Sequence, residues 1–225
     1  RDMFAGRTAE INAIDKGLLQ TSYGNPTHLL LLGERGIGKT SLLNVGSIFA
    51  KGEFTWSDKQ HNFLVVRLSL NEDMCLADFA VNLKNAIERE INKEHSKLAF
   101  IKKAWGFVSR FEAAGMSYRK EESNKNSTQI IQEFIYSLSD TVRSIRDPLL
   151  PTTEKKDGLV ILIDEADKAS KDLHLGFFLK ILTETLAAEK TNHILFIVCG
   201  LPDARNALSD SHESSLRLFQ EFDLG

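Results

Sequence analysis

Cysteine is nearly absent from this sequence of 225 residues: only Cys75 and Cys199 occur, with no spacing that suits a metal. That excludes a disulfide-framed scaffold and a cysteine-ligated metal centre. Long hydrophobic runs are missing too, none approaching the ~20 apolar residues a bilayer span needs, and the amino end does not read as a signal peptide. Charge of one sign is not in excess, because the formal net charge is −3, so no global field draws the chain to nucleic acid or to an anionic membrane. The six histidines, among them His28, His193 and His212, form no pair at ligand spacing. No internal repeat is visible.

What remains is an ordinary globular composition, 42% hydrophobic and 26% charged. Cys199 closes an apolar run and is expected as a buried thiol, which fits a reducing, cytoplasmic setting. The chain starts Arg1-Asp2-Met3 with no initiator methionine before it, as a fragment of something longer would. Its length suits one large domain or two small ones, and the order of its elements favours a single core domain over 1–225.

The informative stretch is His28–Ser41, HLLLLGERGIGKTS. An apolar run stops at Gly33, and Gly33-Glu34-Arg35-Gly36-Ile37-Gly38-Lys39-Thr40 fits G-x-x-x-x-G-K-[ST] at every fixed position. The motif requires a strand before it and a helix after it, and both are legible. Glycine at 33, 36 and 38 lets the backbone adopt angles closed to other residues and approach a ligand closely. The amide groups then point inward at the foot of a helix, whose positive end favours phosphate. Lys39 is placed to reach the β- and γ-phosphates, and the Thr40 hydroxyl to bind Mg²⁺.

In chain order, Thr8 is a candidate cap for a helix over Ala9–Gln20, and Tyr23-Gly24-Asn25-Pro26 is a turn. The strand at His28–Leu32 leads through the loop into a helix from Lys39 to about Lys51. A second strand spans Phe63–Leu70. The passage Asn71–Asp157 far exceeds the dozen or so residues a crossover needs. It carries three amphipathic patterns: Leu76 to Ile91, Leu98 to Phe111 and Ile130 to Ile145. Gly115–Ser127 is polar and reads as a mobile loop, and Pro148–Gly158 as an exposed connection. Strands at Leu159–Ile163 and Ile194–Cys199 flank a helical stretch, Leu173–Glu189. A short helix over Leu201–Leu208 and a strand at Phe219–Leu224 complete the pattern. Strands apolar throughout and alternating with helices indicate a three-layer α/β fold around a parallel sheet.

Ligands bind beyond the carboxyl ends of such strands, where Asp164-Glu165 follows LVILI as the glycine loop follows its own strand. Asp164 is placed to hold Mg²⁺ through water, and Glu165 to orient an attacking water. The spelling D-E-A-D raises a helicase, but no Ser-Ala-Thr-like motif follows the next strand, which ends Val198-Cys199-Gly200.

Together these residues resemble the AAA+ ATPases, in the group joining origin-recognition initiators, transposition helpers and STAND signalling ATPases. Gly33–Thr40 matches its Walker A motif and Leu159–Glu165 its Walker B with the catalytic glutamate. Phe4-Ala5-Gly6-Arg7 resembles the F-x-G-R segment that lines the adenine pocket. Ser214–Phe219 resembles the segment bearing an arginine finger, which makes Arg217 the candidate, with Arg205 a lesser one. The resemblance implies a sheet of about five strands in the order 5-1-4-3-2, with 71–157 as a helical insert. It implies ATP or ADP with Mg²⁺ as ligands. Phe4, Gly6, Arg7, Gly33, Glu34, Arg35, Gly36, Ile37, Gly38, Lys39, Thr40 and Ser41 would contact the nucleotide, Thr40 and Asp164 the metal. Glu165, Lys39 and Arg217 would be catalytic. Two positions depart from the pattern. The polar sensor residue at the end of the fourth strand is Cys199, and the helical lid that follows the last strand is not reached before Gly225.

The resemblance implies Mg²⁺-dependent ATP hydrolysis that switches assembly or an attached effector, with self-association through the ATPase domain and slow turnover without a lid. A nucleotide-holding module with little turnover is the alternative, as is a DNA-loading or transposition-type ATPase. For nucleic acid the support is a basic stretch, Lys102, Lys103, Arg110, Arg119, Lys120 and Lys125, interleaved with Trp105, Phe107, Phe111 and Tyr118. Trp105 and Phe111 fall on an apolar helix face, for which core packing is the better account. The N-K-x-D signature of guanine binding is absent after the fourth strand, which favours adenine.

Overall fold

The computed structural model describes residues 6–92, 103–113, 121, 127–147, 155–210 and 212–225. Within them the apolar runs form β1 (His28–Gly33), β2 (Leu64–Ser69), β3 (Leu159–Asp164) and β4 (Ile194–Gly200), followed by β5 (Phe219–Leu224). All neighbours pair in parallel, in the order β2-β3-β4-β1-β5. This is the expected 5-1-4-3-2 order read from the opposite edge. Every residue of β1, β3 and β4 is buried, because helices cover both faces and no side of these strands meets water.

One face carries Leu29, Leu31, Val160, Leu162, Leu195 and Ile197 against α1 (Thr8–Ser22) and α2 (Lys39–Ala50). Thr8 does not cap α1: the flanking residue is Arg7, with no side-chain capping bond, and Thr8 is the first helical position. The other face turns Leu30, Leu32, Ile161, Ile163, Phe196 and Val198 into a larger core. That core is built with α3 (Leu76–Asn92), α4 (Ser109–Glu112), α5 (Ser127–Arg146) and α6 (Leu175–Ala188). The insert is thus a packed layer of the fold. Phe134 stands edge-on to Phe178 at 5.0 Å and to Trp105 at 5.3 Å, and Trp105 Nε1–H donates to Thr141 Oγ1 at 3.0 Å.

The helix expected from Leu98 to Phe111 is not continuous where it is described. Gly106–Val108 is a 3₁₀ turn that runs into the four-residue α4, and Gly106 sits where an unbroken helix would be weakest. Trp105, Val108 and Phe111 are nonetheless fully buried, so the spacing foretold burial better than helix length. Leu98 and Ile101 lie outside the described residues, as does most of Gly115–Ser127; Ser127 itself opens α5. Of the connection Pro148–Gly158, the described part is anchored: Asp157 accepts from the Asn62 amide at 2.8 Å, and Lys156 Nζ donates to Asn62 Oδ1 at 3.0 Å.

Candidate nucleotide-binding site

The glycine loop joins the end of β1 to the start of α2, and its glycines are needed for different reasons. A Cβ on Gly33 would stand 2.8 Å from Ile37 Cγ2 and 3.0 Å from Leu224 O, so bareness there lets the loop and β5 close together. Gly36 and Gly38 have φ of +85° and +103° with open space where a Cβ would be. Backbone angle, not room, selects glycine at these two. Gly38 flanks α2, whose first turn holds no acidic residue, leaving the positive helix end open to an anion. Lys39 Nζ curls over the loop and donates to Gly33 O at 2.6 Å and Glu34 O at 2.8 Å. Glu34, Arg35, Gly36, Thr40 and Ser41 are exposed around it, while Ile37 is half-buried against the α1/α2 core.

Opposite the loop, Asp164 ends β3 with both carboxylate oxygens engaged. Oδ2 accepts from Thr40 Oγ1 at 3.3 Å and from Arg67 Nη2. Oδ1 accepts from the Cys199 thiol and from the Glu165 amide, each at 3.0 Å. Burial alone would raise the Asp164 pKa, but the bonds from Cys199 and Arg67, the Arg67 charge and the Glu165 amide outweigh it and hold it below the usual carboxylate value. Cys199 is fully buried, and burial followed by its bond to Asp164 pushes the thiol pKa far up. It stays protonated and serves as a donor to the carboxylate. At the end of β4, then, the polar contact is made to Asp164.

Glu165 takes a left-handed conformation, φ 58° and ψ 42°, which costs a non-glycine residue about 1–2 kcal/mol. That turn re-aims the chain so that the Glu165 side chain, half-exposed, accepts from Lys168 Nζ at 2.5 Å. The same bond raises the Lys168 pKa. Two residues past Glu165, Asp167 Oδ1 accepts from the Leu201 amide at 2.8 Å, fastening this turn to the end of β4. Gly200 makes that approach possible, since a Cβ there would lie 2.7 Å from Ala204 Cβ and 2.8 Å from Asp167 Oδ1. Gly200→Ala is therefore expected to lower unfolding stability by about 1–3 kcal/mol, read from the midpoint of a urea titration.

Arg35, Gly38, Lys39, Thr40, Asp164 and Glu165 line one cleft of about 420 Å³, within the range of small-molecule sites. A hydroxyl and a carboxylate meeting there are hard oxygen donors. That suits Mg²⁺, which takes one or two protein oxygens and fills its octahedron with phosphate and water. Among the described residues no group of three or more His, Cys, Asp or Glu is arranged to hold a metal by itself.

A family model described as the AAA ATPase domain matches residues 3–197. The chain belongs to the AAA ATPase family. The solved structure of the Aeropyrum pernix ORC2 protein, with its ADPNP–ADP complexes, superposes with a TM-score of 0.56 at 15% identity. The match covers 97% of this chain and 47% of that one, so the chain spans about half the length of that neighbour. At this identity the likeness is one of fold. No curated protein matches the chain.

Other residues expected at the site of this AAA ATPase divide by position. Phe4 lies outside the described residues. Gly6 is exposed with φ of +93°. Arg7 reaches the loop: it pairs with Glu10 at 3.2 Å and donates to Ile37 O at 3.4 Å and Gly225 O at 3.2 Å. Arg217 does not approach the cleft. It is exposed on the 3₁₀ turn Glu213–Leu218 before β5, where Phe219 aligns with His28, at the end of the sheet opposite Gly33. Arg205 is committed to Glu221 at 2.7 Å and Asp223 at 3.5 Å.

In the basic stretch, Arg110 pairs with Glu133 at 2.7 Å and lies over the Phe111 ring, while Trp105 and Phe111 are core residues. Lys103 is exposed, and Lys102, Arg119, Lys120, Lys125 and Tyr118 lie outside the described residues. Among the described residues no helix is long and apolar enough to cross a membrane. Sequence reasoning missed Arg67, Asp167 and Lys168. The lone arginine in FLVVRLSL was a signal for the first, and the second aspartate of D-E-A-D for the second.

Proposed function

We propose that this AAA ATPase binds ATP with Mg²⁺ in the Lys39–Asp164 cleft and hydrolyses it, the nucleotide state controlling self-association or an attached effector. The observation that carries the reading is the meeting of Thr40 Oγ1 and Asp164 Oδ2 at 3.3 Å, with Glu165 the next residue in the cleft. Two motifs far apart in sequence supply complementary halves of one phosphate and cation site, which supports the assignment of both. Thr40 and Asp164 would hold Mg²⁺, which when bound neutralises charge on the phosphate oxygens.

The chain's own residues do the rest. Lys39 exchanges its bonds to Gly33 O and Glu34 O for phosphate oxygens, a replacement of neutral acceptors by charged ones. The amides of Gly36 and Gly38 and the start of α2 bind the phosphates from the other side. Glu165 orients and polarises the attacking water once it leaves Lys168. Phe4, Gly6 and Arg7 border the adenine, Arg7 being tied to the loop through Ile37 O.

Arg217 sits at the opposite end of the sheet, so its role is in trans, on the γ-phosphate of a neighbouring subunit. ATPase rate per subunit, measured against protein concentration, tests this. The rate is expected to rise with concentration and to fall about 10³-fold in Arg217→Ala, as for removal of an arginine finger. A flat rate indifferent to Arg217→Ala refutes the trans role. One observation favours a second reading, a nucleotide-holding module: the Lys168 amine occupies the Glu165 carboxylate. Measurable ATP binding with no turnover at any concentration would select it.

A further inference from the structure

Arg67 is the one charged side chain in the apolar strand β2, at the edge of the sheet. In the pairing of β2 with β3 it sits beside Leu162, while Ser69 sits beside Asp164. Its side chain therefore leans across the neighbouring strand and two positions along it to reach the carboxylate. Val66 and Leu68 belong to the core on one face and Val65 to the core beneath α2, which puts Arg67 on the α2 side. There Nη1 donates to Asn44 Oδ1 at 2.9 Å and Nη2 to Asp164 Oδ2. That oxygen is the one that also accepts from Thr40, so the guanidinium rests on the cleft-facing oxygen of the carboxylate. The other oxygen is taken by Cys199 and the Glu165 amide. A surface ion pair of this kind usually counts for little, but here the carboxylate is only 12% exposed and the arginine 36%. A fixed positive charge this close is felt by any second cation at the same oxygen.

We propose that Arg67 is a positioning residue that occupies Asp164 Oδ2 as an internal cation and thereby sets the Mg²⁺ concentration at which the cleft takes up its metal. The guanidinium keeps the carboxylate aimed at Thr40 and competes with the divalent ion for the same negative charge. Asn44 holds the guanidinium in place. The proposal rests on the reading of Thr40 and Asp164 as the Mg²⁺ site.

The test uses the whole chain with a fluorescent ATP analogue, whose affinity is measured in EDTA and across a Mg²⁺ titration. Arg67→Gln is expected to lower the Mg²⁺ concentration for half-maximal effect about tenfold, with affinity in EDTA unchanged. Arg67→Lys, which keeps the charge, should stay near the parent value. Asn44→Ala, a substitution at an exposed position on α2, should shift the midpoint the same way by about threefold, and it carries the test if Arg67→Gln folds poorly. An unchanged or raised Mg²⁺ midpoint in both Arg67→Gln and Asn44→Ala overturns the proposal. Asp164→Asn separates the two levels. If it weakens the Mg²⁺ effect while the Arg67 and Asn44 variants do nothing, only the role of Arg67 fails. If Asp164→Asn leaves the Mg²⁺ midpoint untouched, the metal site itself is wrong and the proposal falls with it.

Discussion

Glu165→Gln is expected to reduce ATP turnover by about 10²–10⁴-fold, the usual contribution of a group that takes or directs a proton in the transition state. The amide keeps the shape of the carboxylate, so it can fill the same space at the exit of β3. It loses the negative charge that polarises water and that binds Lys168 at 2.5 Å. Ground-state affinity for ATP should hold within about threefold, because Glu165 is assigned to the attacking water and not to the phosphates. Equilibrium binding of a fluorescent analogue beside single-turnover hydrolysis distinguishes the two effects. Equal losses in binding and turnover would place Glu165 in the phosphate site and remove its assignment as the water-directing residue.

Lys39→Ala should have the opposite signature: nucleotide affinity falls about a hundredfold, an effect of roughly 3 kcal/mol for a cation bonded to charged oxygens. The amine sits over Gly33 O and Glu34 O, within the loop that would surround the phosphates. Removing it also leaves those two carbonyls without that donor, but Glu34 is exposed and the bond to Gly33 O only partly buried, so the fold should lose little. The expected result is loss of ATP and ADP binding by calorimetry with an unaltered urea midpoint. Retained affinity would show that the nucleotide does not lie against the glycine loop.

The architecture was legible because its signals are local. Runs such as LLLL, LVILI and ILFIVC announce strands buried on both faces, and G-E-R-G-I-G-K-T announces the loop between strand and helix. The carboxylate pair followed from its place after a buried strand. What escaped was whatever depends on neighbours across the sheet. No spacing rule connects Arg67 with Asp164, because their meeting is a consequence of strand register. The lock of Asp167 on Leu201 likewise exists only because β3 and β4 are adjacent. Gly33 resembled its fellow glycines in the motif, yet its reason is the proximity of Leu224, a residue from the far side of the sequence. The break at Gly106 shows the converse, since the apolar period there reports burial and not helix length.

The strand order also bears on how the protein is made. β1, which carries the glycine loop, pairs only with β4 and β5, so His28 lies beside Phe219 and Leu29 beside Ile197. Both contacts close most of the chain into a loop before they repay the entropy lost. A ribosome that has just released β1, α2 and β2 has therefore produced three elements with no strand to join the first to the second. β2 stays unpaired until β3 emerges, and β1 until residues from 194 onward do. The phosphate loop is synthesised before β2, β3, β4 and β5, yet its strand is the last to be framed on both sides. Slow assembly and a need for protection during translation are thus properties of the topology itself.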